Sequence, residues 1–158
     1  MTLSDFLGEW NDPSPTLLVH TSGSTGTPKP MWVEKAKMLN SARITCDFLG
    51  LHSGDTALLC MPLDYIAGKM VVVRALERNL RLIDVKPCGH PLADAVYPRD
   101  EAAPVFAAMV PMQVFNSLQV PQERQRLRQI RHLIIGGGAV DAAMAQALAD
   151  FPNHIWSS

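Results

Sequence analysis

Short apolar runs alternate with longer segments of helical period along most of this chain, and that alternation restricts the fold more than any other feature. Residues 17–20 follow the Pro13-Ser14-Pro15 breaker and predict a buried strand. Residues 35–49 predict a helix with Met38, Ala42, Thr45 and Leu49 on one face and Gly50 as its stop. Residues 57–61 predict a second strand, ended by Pro62. Residues 67–78 predict a helix that Asn79 closes in the left-handed conformation, and residues 81–85 a third strand. Past Pro87 the chain loosens through Gly89, Pro91 and Pro98. Residues 105–110 then predict a strand, 112–118 a short helix, and 121–129 a polar helix with proline in its first turn. Residues 132–135 predict a strand running into Gly136-Gly137-Gly138, Asp141 caps a helix to residue 149, and residues 154–156 begin another strand. This rhythm predicts an α/β fold, a mostly parallel sheet with flanking helices. Ligands of such sheets bind at the carboxyl ends of the strands, where both glycine-rich loops fall. Ending on a nascent strand predicts that the 158 residues are part of a larger domain.

Composition narrows the function classes. Fourteen basic and fifteen acidic residues leave a net charge of −1, which excludes a general basic field for nucleic acid. Charged residues make up 18% of the chain, so much apolar surface has to be covered. A chain of this length buries roughly 68–70% of its unfolded surface and needs no disulfide staple. Cys46, Cys60 and Cys88 form no Cys-x-x-Cys pair, and read as small buried hydrophobes in a reducing cytosol. The first residues show no basic region followed by an apolar core, so no signal peptide is expected. Its longest uncharged apolar run, residues 102–112, is broken by Pro104 and Pro111 and falls short of the ~18 residues of a membrane span. The expectation is a cytoplasmic protein with no membrane span.

The densest chemistry lies in His20-Thr21-Ser22-Gly23-Ser24-Thr25-Gly26-Thr27-Pro28-Lys29, directly after the first predicted strand. Glycines let backbone N–H groups turn into one concavity, hydroxyls add short donors, and lysine supplies a point charge. That combination suits phosphate. The spacing is neither Walker A nor Gly-x-Gly-x-x-Gly.

The string Thr21 to Lys29 resembles the phosphate-binding signature of the adenylate-forming ligases, a superfamily of acyl-CoA synthetases, luciferases and peptide-synthetase adenylation domains. Pro30 stands where most members have glycine. Three further segments follow in family order. Met61-Pro62-Leu63-Asp64-Tyr65-Ile66-Ala67-Gly68 resembles the Pro-Leu-Phe-His-x-x-Gly lining of the acyl pocket, with Asp64 and Tyr65 in place of Phe and His. Val110-Pro111-Met112-Gln113 resembles a Val-Pro-Thr stretch beside the acyl site. Ile135-Gly136-Gly137-Gly138-Ala139 resembles the loop against which adenine packs.

The resemblance implies ATP, Mg²⁺ and coenzyme A as cofactors, and a small-molecule carboxylate as substrate. An acyl-adenylate forms first, and the thiol of coenzyme A then displaces AMP. Residue by residue, it implies that Thr21, Ser22, Gly23, Ser24, Thr25, Gly26 and Lys29 bind the phosphates. Lys29 and Thr25 are the catalytic candidates, Thr25 also toward magnesium. Gly136, Gly137, Gly138 and Ala139 receive adenine. Tyr65, Lys69, Arg74 and Met112 face the acyl group. Arg74 lies six residues past Gly68, a pattern similar to that of the o-succinylbenzoate–CoA ligases of menaquinone synthesis. Their substrate carries a second carboxylate, which a buried cation would offset. The alternative for Arg74 is the solvated face of its helix, and Lys69 reads more readily as a surface residue. Other acyl substrates, or a non-catalytic nucleotide-binding module, remain alternatives. The Tyr-Gly-x-Thr-Glu motif, the ribose-binding aspartate and the mobile C-terminal domain of the family do not occur in residues 1–158. The chain therefore reads as part of an N-terminal adenylation domain.

The remaining features carry less. Cys88-Gly89-His90 offers two ligands in one loop, too few for a metal site. His20 reads as a packed histidine, or as one facing the ligand. Trp10, Trp32 and Trp156 read as core or rim residues. Arg124, Arg126, Arg128 and Arg131 read as a solvated basic face, or as a partner for the phosphates of coenzyme A.

Overall fold

A computed structural model describes residues 1–21, 27–99 and 101–157. A five-stranded parallel sheet forms its centre, in the order β4-β3-β5-β6-β7. Its strands are β3 (Thr56–Leu59), β4 (Arg81–Asp84), β5 (Phe106–Met109), β6 (His132–Ile135) and β7 (His154–Ser157). Helices α2 (Lys35–Leu49) and α3 (Ile66–Arg78) cover one face. Helices α4 (Pro111–Leu118), α5 (Pro121–Gln129) and α6 (Ala142–Leu148) cover the other. Successive strand residues alternate between the two layers. Ala57, Leu59, Phe106 and Ala108 join the core beneath α2 and α3, whereas Leu58, Ala107, Met109 and Leu133 join Val114, Leu127 and Met144 on the opposite side.

The helix stops follow the residue chemistry. Gly50 ends α2 at φ +67° and Asn79 ends α3 at φ +53°, both in the left-handed region. Asp141 accepts the Met144 N–H at 2.7 Å and so caps α6.

Two findings depart from the expected plan. Strand β1 (Thr16–Thr21) lies outside the parallel sheet. It forms an antiparallel ribbon with β2 (Lys29–Glu34), in which Thr16 stands opposite Glu34 and Thr21 opposite Lys29. The glycine-rich segment therefore follows a ribbon strand in the chain and not, as the sequence predicts, a strand of the parallel sheet; residues 22–26 themselves lie outside the described residues. Strand β2 gives no alternating signal because nearly all its residues are exposed, Trp32 at 68%. Pro30 sits in it opposite His20, which an edge strand tolerates.

The second departure is α1 (Leu3–Asn11), which the sequence reading leaves unassigned. Thr2 and Asp5 form a capping box: the Thr2 hydroxyl accepts the Asp5 N–H, and the Asp5 carboxylate accepts the Thr2 N–H. Phe6 anchors the helix, fully buried against the α2–α3 layer. Lys35 Nζ donates to the carbonyls of Glu9 and Asp12, at 3.0 and 2.9 Å, tying the end of α1 to the root of the hairpin.

Cys46 and Cys60 are buried, and burial pushes their thiols up to about 11 and about 12. Cys88 is exposed, against expectation, because it lies in the loop after β4. Among the described residues, no helix is long and apolar enough to cross a membrane.

At the amino ends of β6 and β7, His132 and His154 stack with ring centroids 5.2 Å apart. Burial lowers the affinity of His132 for a proton, and His154 and Arg131 add repulsion that Asp55 offsets in part. A histidine depressed in the fold binds its proton more readily once unfolded, so stability falls with falling pH below about 6.5. Urea midpoints measured from pH 7.5 to 5.5 should decline. The decline should be shallower in His132→Phe, which keeps the stack and loses the titration.

Candidate active site

The strand order fixes where a crevice can form. From β3 the chain crosses to β4 on one side, whereas β5 lies on the other side of β3. Between the carboxyl ends of β3 and β5 the crossovers diverge, and this is where parallel sheets of this kind bind ligands. Cys60, Met61 and Pro62 leave β3 there, and Val110 and Pro111 leave β5.

Gln113 joins these segments. It is 4% exposed, and its Nε2 donates to the carbonyls of Cys60 and Cys88, each at 3.0 Å. Its Oε1 accepts the Val110 N–H at 3.1 Å. One amide thus satisfies the backbone ends of three segments from a buried position.

Two glycine positions are set by close approach. A Cβ on Gly68 would stand 2.3 Å from the Pro62 carbonyl oxygen and 3.1 Å from that of Met61. Helix α3 can approach the β3 exit only without a side chain there. We expect Gly68→Ala to cost about 1–3 kcal/mol in urea unfolding, because backbone rather than a flexible side chain blocks the methyl. At the end of β6, Gly136 N–H donates to the Met109 carbonyl at 3.0 Å. Gly137 then adopts φ +79°, and a Cβ on Gly138 would lie 3.3 Å from Pro111 Cγ. The glycine loop therefore rests on the Val110-Pro111 turn. Three of the four segments singled out in the sequence, residues 61–68, 110–113 and 135–139, come together at the carboxyl ends of β3, β5 and β6.

Of the fourth segment, Thr21 is half-buried and Lys29 exposed, facing each other across the ribbon. Ser22, Gly23, Ser24, Thr25 and Gly26 lie outside the described residues. Gly137, Gly138 and Ala139 are exposed and Gly136 half-buried. Tyr65 caps α3 and is half-buried, whereas Met112 is 61% exposed on α4. Among the described residues, no group of three or more His, Cys, Asp or Glu could hold a metal ion.

Lys69 and Arg74 separate. At about 100° per residue they lie about 140° apart around α3. Arg74 turns to the sheet, its guanidinium 5.8 Å from the Phe106 ring and its Nε buried with no partner among the described residues. Burial lowers its pKa, and Cys46 opposes that shift. This is not a solvated face. Lys69 turns to α1, with Nζ 5.2 Å from the Phe6 ring, and at 2% exposure it is not a surface residue.

The arginine cluster is largely tied down. Arg124 and Arg128 flank the Phe151 ring and each lies 3.8 Å from Asp150. Arg126 donates to the Leu92 carbonyl at 2.7 Å. His90 Nδ1 meets the buried carboxylate of Glu123 at 2.9 Å, a pairing between distant segments that local spacing does not signal.

A family model described as AMP-binding enzyme matches residues 7–157. The chain belongs to the AMP-binding enzyme family. As a member, it is 25% identical over 149 residues to the 2-succinylbenzoate–CoA ligase of Haemophilus influenzae, covering 90% of this chain and 30% of that protein. It is 30% identical over 125 residues to the enzyme of the same name from Enterococcus faecalis, covering 78% of this chain and 25% of that one. The crystal structure of an acyl-CoA synthetase (AMP-forming)/AMP-acid ligase II-like protein from Dyadobacter fermentans superposes on 98% of the chain with a TM-score of 0.85 and 35% identity. The match takes in 43% of that chain. O-succinylbenzoate coenzyme A synthetase from Bacillus subtilis, solved with ATP and magnesium ion, superposes on 87% of the chain with a TM-score of 0.69. At 19% identity that likeness concerns the fold, and the match takes in 28% of that chain. This member of the AMP-binding family spans less than half the length of these relatives.

Proposed function

We propose that the chain is part of the N-terminal adenylation domain of an ATP-dependent acid–thiol ligase. The carboxylate is activated as an acyl-adenylate and transferred to coenzyme A. The observation that supports this reading best is the convergence of three segments at the β3–β5 divergence. There the glycine loop, the Val110-Pro111 turn and the Pro62–Gly68 approach meet, within a chain that carries the Thr21–Lys29 signature.

In this reading Thr21, Ser22, Gly23, Ser24, Thr25, Gly26 and Lys29 take the phosphates. Gly136, Gly137, Gly138 and Ala139 offer adenine a surface with no side chain larger than a methyl group. Magnesium, when bound, neutralises phosphate charge; Thr25 is the residue of this chain assigned to it, and other ligands come from outside residues 1–158.

For the acyl group we propose an aromatic dicarboxylate of the o-succinylbenzoate class, with Tyr65 and Met112 along its path. Arg74 supports this choice: a guanidinium with a buried, unpartnered Nε is suited to a carboxylate the ligand brings with it. Lys69 faces α1 from another side of α3 and adds nothing to that wall. The 2-succinylbenzoate–CoA ligases among the relatives favour the same class. ATP–pyrophosphate exchange by the complete ligase should depend on o-succinylbenzoate. Exchange with simple fatty acids and none with o-succinylbenzoate would redirect the substrate assignment.

A further inference from the structure

Cys60 and Cys88 lie far apart in the chain, yet one side chain holds both. Gln113 Nε2 donates to both of their carbonyl oxygens, each at 3.0 Å, so the two oxygens stand no further apart than twice that length. Strand pairing brings the same segments together. The Val85 N–H donates to the Leu59 carbonyl at 2.9 Å, which places Val85 beside Cys60 and leaves only Lys86 and Pro87 before Cys88. Cys60 and Val85 belong to the same core layer, on the α4 side of the sheet. The Cys60 Sγ faces that side, 3.5 Å from the Ala108 carbonyl oxygen and 3.8 Å from Gln113 Oε1. Cys46, the third cysteine, sits in the opposite layer, where its thiol meets the Arg74 carbonyl. The sheet separates it from Cys60.

The two thiols differ in what reaches them. Cys88 is exposed and Cys60 is fully buried. Burial holds the Cys60 thiol up at about 12, and negative charge on Cys88 pushes it the same way. Cys60 therefore stays protonated and shielded, and a soluble oxidant meets Cys88 first.

We infer that Cys60 and Cys88 are a redox pair, in which a peroxide oxidises the exposed sulfur and the buried one then closes an intramolecular disulfide. In the first step the Cys88 thiolate attacks one oxygen of hydrogen peroxide. The O–O bond breaks, Cys88 becomes a sulfenic acid, and the departing hydroxide takes up a proton as water. In the second step the Cys60 sulfur attacks the Cys88 sulfur. The S–S bond forms, the S–O bond breaks, and the Cys60 proton leaves with the hydroxide as a second water. The thiol pair loses two electrons and the peroxide gains them. The bond makes covalent what Gln113 holds by hydrogen bonds, the exit of β3 against the loop after β4. The pair does not depend on the nucleotide reading.

The test treats the folded protein with a small excess of hydrogen peroxide, alkylates it under denaturing conditions, and reads the digest by mass spectrometry with and without a dithiol reductant. The expected product is a cross-link within one chain between the peptides of Cys60 and Cys88, with Cys46 alkylated as before and both thiols recovered on reduction. The oxidised protein should melt several degrees above the reduced one, because the link closes a loop of the unfolded chain. Cys88→Ser, at an exposed position, should abolish both the cross-link and the shift. Cys60→Ala should leave Cys88 as a sulfenic acid that dimedone traps; if that variant does not fold, Cys88→Ser decides alone.

Oxidation confined to Cys88 of the unaltered protein, with Cys60 still alkylated, overturns the inference. So does a disulfide found only between two copies through Cys88, or a link that includes Cys46. A cross-linked protein that melts no higher than the reduced one overturns the role of the bond as a clamp on the β3 exit.

Discussion

Replacing Lys29 by alanine in the complete ligase should reduce ATP–pyrophosphate exchange at least about a hundredfold, the loss typical of removing one positioned electrostatic donor. The reacting carboxylate and the triphosphate are both anionic, so they approach only where positive charge is already in place. Lys29 sits opposite Thr21 on the ribbon, held by strand pairing rather than by a loose loop. In the proposed reading that pairing sets where the Lys29 backbone stands before ATP arrives, and prepositioned charge is the form that lowers a barrier. Because Lys29 is exposed, the variant should unfold at the same urea midpoint as the parent. Unaltered exchange in a folded Lys29→Ala enzyme would remove the ribbon loop from the chemistry.

The largest loss of stability is expected at Gln113. Gln113→Leu preserves volume and apolar packing but leaves the carbonyls of Cys60 and Cys88 and the N–H of Val110 without their partner. Each buried orphan costs on the order of 1–3 kcal/mol, so a combined loss on the order of 3 kcal/mol should appear in the urea midpoint with an unchanged slope. A loss below about 1 kcal/mol would mean that water enters and takes over these bonds. Leucine is the stricter test than alanine because it leaves no cavity that water could fill.

Much of the central architecture is legible in the residues. Helices α2 and α5 begin and end where Lys35, Gly50, Pro121 and Gln129 place them, because stop signals and apolar period agree there. Strands β3, β4 and β6 are legible as short Leu/Ile runs, and β5 as an apolar Phe-Ala-Ala-Met run between Pro104 and Pro111. What local pattern does not carry is partnership. Strand β1 reads like a sheet strand because Leu17 and Val19 are buried; its true partner β2 is too exposed to show a period. Helix α1 is short, yet its Thr2–Asp5 box and the spacing of Leu3, Phe6, Leu7 and Trp10 mark it.

The same holds at the crevice. The glycine loop, the Val110-Pro111 turn and Gly68 can each be found as motifs, but Gln113, which ties two of these segments to the loop after β4, stands in the sequence as an ordinary glutamine. Lys69 and Arg74 both look like candidate anchors for one ligand until α3 is wound. The helix then turns one toward Phe6 and the other toward Phe106.

The β1–β2 ribbon shares no ladder bond with the five-stranded sheet among the described residues. An insertion, deletion or exchange at its tip can therefore be absorbed without shifting the register of any central strand. In the proposed reading the phosphate-binding segment and the acyl-binding residues then lie in elements that share a core through Leu17 and Val19 but no strand register, so directed evolution can vary the length of one without re-registering the other.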